Sequence, residues 1–279
     1  MANWDDITSI GDVEDRRGIS PAAILGGGGG IVAILLTLGL NFLGLNISPT
    51  TVEEMLNSFS ATQNIQVDQS DQPAEFRGED SYEVFASKVL GSSNDVWSQV
   101  FTASGFTYSP PKLVLFRSAT QSGCGLAAAQ MGPHYCPRDS TIYLDETFFD
   151  ELHTRFGASK GEVAQAYVIA HEVGHHVQSE LGALASSATQ TQEGSIALEL
   201  QADCYAGVWA YAQAKNGVFE GDEVSQAISA AAAVGDDRIQ QATEGRVTPE
   251  NWTHGSSEQR VGAFNTGYTT GDPARCVGF

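Results

Sequence analysis

The residues best able to do chemistry are grouped in His171-Glu172-Val173-Gly174-His175. At ~3.6 residues per turn, positions i and i+4 share one helical face, so His171 and His175 can present two ring nitrogens to one metal ion. Glu172 lies beside them rather than between them, which lets its carboxylate reach a water on the metal instead of the metal itself. A hydrolytic zinc site needs that division, with ligands that hold the ion and a base that takes the water's proton. Two histidines leave such a site one protein ligand short. Glu199 and Asp203 are also i and i+4, in a segment that otherwise reads as buried, and two carboxylates there are hard to accommodate without a cation. The competing readings are hydrogen-bonded core histidines and an exposed acidic flank. The first would leave Glu172 buried without a partner. His176 lies about 100° round the helix from His175 and is not expected to be a ligand.

These residues need particular elements to hold them. From Lys160 to Leu181 the apolar residues Val163, Ala166, Tyr167, Ala170, Val173, Gly174 and Val177 recur at helical spacing, with Ser159 able to cap the start and Gly182 the end. A long Ala-rich helix begins at Ser195 and carries the acidic pair. The same spacing predicts two helices within Asp80 to Thr102, broken at Gly91-Ser92-Ser93-Asn94, and one each over Glu146 to Gly157 and Glu220 to Ala242. A short helix begins at Ser256 or Ser257, after His254-Gly255. Two β-rich runs, Lys112 to Phe116 and Thr141 to Asp145, suit a small sheet packed on the metal helix, with an edge able to hold an extended peptide.

The chain has 279 residues and a formal charge of −20, with its 14 basic residues scattered. Without a cationic footprint a nucleic-acid partner is not expected. No charge occurs between Arg17 and Glu53, and Ile24 to Leu45 is long enough at ~1.5 Å per residue to cross ~30 Å of hydrocarbon. The expectation is a cytoplasmic tail over 1–20, a single transmembrane anchor over 21–45, a polar linker over 46–77 and a catalytic domain over 78–279. A cleaved signal is the competing reading, but no small-x-small site follows. Arg16 and Arg17 flank the N-terminal side, so the tail is placed inside and the domain outside the cell membrane. Cysteine usage agrees with export, since Cys124 and Cys136 bracket a short loop and Cys204 and Cys276 remain as a second pair.

Taken together, several segments resemble the putative neutral zinc metallopeptidase family of bacterial membrane-anchored proteins. They are His171-Glu-x-x-His175, Leu198-Glu-Leu-Gln-Ala-Asp-Cys204, Ser122-Gly-Cys-Gly, Tyr135-Cys-Pro, Ile142-Tyr-Leu-Asp145 and His254-Gly-Ser-Ser-Glu-Gln-Arg260. The resemblance implies a zincin-like α+β fold, mainly helical, with Glu199 as third ligand and Asp203 supporting a ligand histidine. Of the side chains that could complete the site, Glu193 has no fixed orientation and His254 would make a three-His site without its usual spacing. Glu199 has the longer stem to reach a facing helix. The function expected is zinc-dependent endopeptidase action on proteins or peptides. One Zn²⁺ per chain would be held by His171, His175 and Glu199, with Glu172 as base and His254 hydrogen-bonding the oxyanion. The alternative is a membrane-anchored, non-catalytic zinc-binding scaffold or interaction protein. An intact Glu172 speaks against it.

Overall fold

The structure, a computed structural model, describes residues 2–18, 74–75, 80–185 and 190–279. It is mainly helical α+β. Strands β1 (Val13–Asp15), β3 (Lys112–Leu115) and β7 (Thr141–Leu144) run parallel at the centre of a sheet ordered β2-β1-β3-β7-β6. Its edges, β2 (Ala74–Glu75) and β6 (His134–Cys136), are antiparallel to their neighbours. Strands β3 and β7 are short and mostly apolar, with Leu113, Leu115, Ile142 and Leu144 all buried, as strands covered by helices must be. A separate hairpin, β4 (Ala119–Ser122) with β5 (Gly125–Ala128), sits above β6, and the Cys124–Cys136 disulfide ties the two together.

Helix α1 (Ser81–Ala103) is capped by Asp80, which accepts from the amides of Tyr82 and Glu83. It is followed by α2 (Phe148–Thr154), α3 (Glu162–Glu180), α4 (Gln192–Lys215), α5 (Gly221–Ala233), α6 (Asp236–Glu244) and α7 (Ser257–Thr270). Helix α3 packs against α4, α5 and α1, and α7 lies along α4. Where α4 and α7 cross, Gly207 faces Gly267. A Cβ on Gly267 would come within 1.9 Å of the Cys204 carbonyl oxygen, and one on Gly207 within 2.1 Å of that of Phe264. Only glycine at both positions permits this approach. The Cys204–Cys276 disulfide fastens the C-terminal turn to α4 on the same side.

Several expectations require correction. The break foreseen in α1 is absent, because the hydroxyls of Ser92 and Ser93 bond back to the Val89 carbonyl and the helix continues through Gly91. The single helix expected over Glu220 to Ala242 is two, parted at Val234-Gly235. The cap of α3 is Gly161, not Ser159, whose amide instead donates to Ser229. The largest correction concerns the first 20 residues, expected to be a tail apart from the domain. Residues 2–17 belong to its core: Trp4, Ile7 and Val13 are buried, and β1 lies between β3 and β2. Isolated pattern reading missed this because three-residue strands carry almost no periodicity. The anchor expected over 21–45 and most of the linker expected over 46–77 lie outside the described residues. Among the described residues no helix is long and apolar enough to cross a membrane.

Candidate metal centre

The site lies where α3 meets α4. Helical spacing puts His171 and His175 on one face of α3, and the apolar stripe of the same helix fixes that face towards α4. Glu199 reaches between them: its Oε2 is 3.2 Å from His171 Nε2 and its Oε1 is 3.3 Å from His175 Nε2. One donor atom from each residue falls within 4.8 Å of the others, and among the described residues this is the one His/Cys/Asp/Glu group close enough to hold a metal ion.

The other ring nitrogens are engaged. His171 Nδ1 is 2.9 Å from Asp203 Oδ1, and His175 Nδ1 donates to Gln178 Oε1 at 2.9 Å. Gln178 is in turn fixed to α4 through the Leu198 carbonyl at 2.7 Å and the Gln201 side chain at 3.1 Å. Each Nε2 is therefore turned to the same point beside Glu199. Two imidazoles and a carboxylate, with both outer nitrogens oriented by hydrogen bonds, form a donor set suited to Zn²⁺.

Asp203 is fully buried and saturated. Arg260, on α7, donates to it from Nε at 2.8 Å and Nη2 at 3.0 Å, and the Tyr167 hydroxyl bonds to Oδ1. Arg260 Nη2 also approaches Glu199 Oε2 at 3.6 Å. This buried cation was not legible from sequence beyond its place in a motif, because the contact joins residues 57 positions apart.

The electrostatics follow from this packing. Burial opposes the charge on His171, yet the adjacent Asp203 and Glu199 carboxylates overcome it and raise its pKa to about 10. His175 is raised by Glu199 against the same opposition. Burial likewise works against the Glu199 and Asp203 carboxylates. The two histidines nonetheless hold Glu199 well below its ordinary range, and Arg260 with His171 lowers Asp203.

Glu172 is buried beside this group, and its Oε2 has no hydrogen-bond partner among the described residues. A buried carboxylate oxygen without a donor is unfavourable unless a ligand or water completes it, and Glu172 is among the residues that line the adjoining cleft. The cleft holds about 470 Å³ and is lined by His171, Glu172, His175 and Glu199 on its floor, with Tyr135 and His254 at the sides.

His254 is half exposed at the cleft. The break between α5 and α6 explains its placement, since it frees Asp236 to gather the backbone N–H groups of Thr253, His254 and Gly255 at 2.7, 2.6 and 3.0 Å. Asp236 Oδ1 also lies 3.0 Å from His254 Nδ1, which leaves Nε2 for the cleft. Burial opposes the Asp236 charge, and these donors outweigh it to lower its pKa. His176 points away from the floor. Its Nε2–H donates to the Ser109 carbonyl at 2.6 Å and its Nδ1 accepts from Tyr135 at 3.0 Å, which moors edge strand β6 to α3. Burial pushes its pKa down. Glu193 is at the exposed start of α4, outside the donor group. Sequence reading thus missed Gln178, Asp236 and Arg260 as site residues. Of these only Gln178, three residues beyond His175 on the same helix, carried a local signal.

Comparison with known proteins agrees with this geometry. Protein YpfJ of Escherichia coli K12 is 39% identical over 292 residues, spanning 99% of this chain and 98% of its own. Protein Rv2575 of Mycobacterium tuberculosis H37Rv is 45% identical over 218 residues, 72% of this chain and 73% of its own. Both relatives are themselves uncharacterized. No solved structure matches. The family model described as "Putative neutral zinc metallopeptidase" matches residues 2–279, and the chain belongs to that family.

Proposed function

We propose that this protein is a zinc-dependent endopeptidase in which His171, His175 and Glu199 hold one ion per chain. The observation that carries the reading is Glu172, a buried carboxylate with an unpartnered Oε2, in the lining of the cleft that also holds the His-His-Glu donor group. A structural zinc site is closed by four protein ligands and has no use for a neighbouring base. When bound, zinc supplies Lewis acidity that acidifies water and polarises a carbonyl.

The chain's own residues account for the remaining steps. Glu172 takes a proton from the attacking water at its free oxygen and returns it to the leaving amine. Asp203 and Gln178 fix the orientation of the two ligand imidazoles, and Arg260 balances the Asp203 charge. His254, held through Nδ1 by Asp236, presents Nε2 to the cleft. With its ring protonated it donates from that nitrogen to the carbonyl oxygen as negative charge develops there. Among the described residues strand β6 is an edge of the sheet and lines the cleft through His134 and Tyr135, which suits an extended peptide. The α3–α4 arrangement and this edge support a zincin-like reading of the domain.

The test is hydrolysis of an unbiased peptide library by the full chain. The expected result is cleavage that stops with a zinc chelator, returns with added Zn²⁺, and is mapped by mass spectrometry of the products. Zinc-loaded protein that cleaves nothing in the library would favour the non-catalytic scaffold instead.

A further inference from the structure

We propose that residues 2–17 and the domain that the chain re-enters at residue 74 occupy one side of any membrane the protein meets, rather than the opposite sides that a single crossing between them would require. The two arms of the chain are paired directly. Strand β1 is antiparallel to β2, with Glu14 opposite Glu75 and Asp15 opposite Ala74, so the chain leaves at residue 16 and returns at residue 74 along one sheet edge. On its other side β1 is parallel to β3, with Val13, Glu14 and Asp15 opposite Leu113, Val114 and Leu115. A strand cannot be hydrogen-bonded on both sides within a sheet and lie across a bilayer from it.

The contacts before β1 agree. Trp4 packs edge-on against Phe85 at 5.0 Å between ring centroids, and its Nε1–H donates to Glu162 at 2.8 Å. The Gly11 amide donates to the Ser87 carbonyl at 2.8 Å, and the Ser87 hydroxyl donates to the Gly11 carbonyl at 3.0 Å. A Cβ on Gly91 would stand 2.6 Å from the Ser9 carbonyl carbon, so α1 has glycine where the N-terminal segment crosses it. The arginines that would mark a cytoplasmic flank have partners in the domain. Arg17 is 2.8 Å from Asp15, 3.4 Å from Asp80 and 3.3 Å from Glu146, while Arg16 donates to the Gln121 carbonyl at 3.0 Å. Their charge completes an ion-pair cluster, which weakens them as a topological signal.

The sequence between the arms limits the alternatives. A same-side arrangement needs an even number of crossings. Two crossings would take roughly 40 apolar residues, whereas the uncharged apolar run from Ile24 to Leu45 has 22.

The test uses single thiols in the full chain, since all four native cysteines are disulfide-bonded. Asp5→Cys places a thiol at a side chain 97% exposed on the N-terminal segment, and Glu244→Cys places one at an exposed residue of the domain. A membrane-impermeant maleimide is applied to intact cells stripped of outer layers, then to lysed cells. The proposal expects the two thiols to react alike, within about twofold, in intact cells. Protection of both until lysis also supports a shared side, and places it inside. Reaction of Glu244→Cys in intact cells with Asp5→Cys protected until lysis would overturn the proposal and restore a single crossing. Neither substitution touches the zinc site, so this outcome is independent of whether the protein is a peptidase.

Discussion

Glu199, partly buried, and Asp203, fully buried, are one helical turn apart, yet their surroundings assign them different work. Glu199 faces both Nε2 atoms, whereas Asp203 is saturated by Arg260, Tyr167 and His171 Nδ1. Metal retention should therefore be graded. Glu199→Ala is expected to abolish it, and Asp203→Ala or Gln178→Ala to weaken it by roughly 10- to 100-fold, read by equilibrium competition with a chromophoric chelator. Loss of metal from Asp203→Ala with retention in Glu199→Ala would reverse the two roles. His254→Ala should keep its zinc while lowering turnover by roughly 10²-fold, the scale of a lost oxyanion donor. The ligand pair and Glu172 were legible from spacing alone because one helix carries all three. Asp236 and Arg260 were not, because their partners come from other elements.

The same residues set a pH dependence. His171 rises to about 10 in the folded protein from 6.5, so its stabilising contribution without metal is complete below about 6.5 and is lost as pH rises towards about 10. Glu199 and Asp203 are lowered from 4.5 and 3.8, so theirs is present above those values and is lost on acidification. Metal-free protein should accordingly melt highest between about pH 4.5 and 6.5, in thermal scans across pH. Since His171 must lose its proton to ligate, zinc binding at pH 7 should release at least one proton. Calorimetry in buffers of different ionisation enthalpy checks this, and no buffer dependence would contradict it.

At the scale of elements, the site depends on α7 as much as on the two helices that bear ligands. Arg260 is the one arginine or lysine bonded to Asp203 among the described residues, and its removal leaves His171 as the single basic partner of this buried carboxylate. Arg260→Ala should destabilise the protein by about 3–5 kcal/mol in denaturant unfolding. An effect below about 1 kcal/mol would mean that the network is far less coupled than its geometry indicates. The close α4–α7 crossing at Gly207 and Gly267 could not be read from sequence, where both glycines merely weaken a helix. The separation of α5 from α6 was equally hidden, because Val234-Gly235 follows an unbroken helical pattern and its reason, the holding of His254 by Asp236, is tertiary.

At the scale of the whole molecule, the central sheet needs the N-terminal segment. Trp4 fills a space between Phe85 and Phe219, and Trp4→Ala should cost about 3–5 kcal/mol, as expected of a large aromatic removed from a core. A Trp4→Ala variant as stable as the parent chain would contradict the packing described here. Composition and charge showed the acidic character of the chain, but could not show that residues on either side of a long apolar run rejoin in one sheet.

The account stands most directly on Glu172. Wild type and Glu172→Gln, prepared together, can be measured for zinc content by elemental analysis and for peptide turnover on one library substrate. The account predicts one zinc per chain in both, with turnover in Glu172→Gln lower by roughly 10²-fold or more. Equal turnover in the two proteins, both fully loaded with zinc, would contradict it.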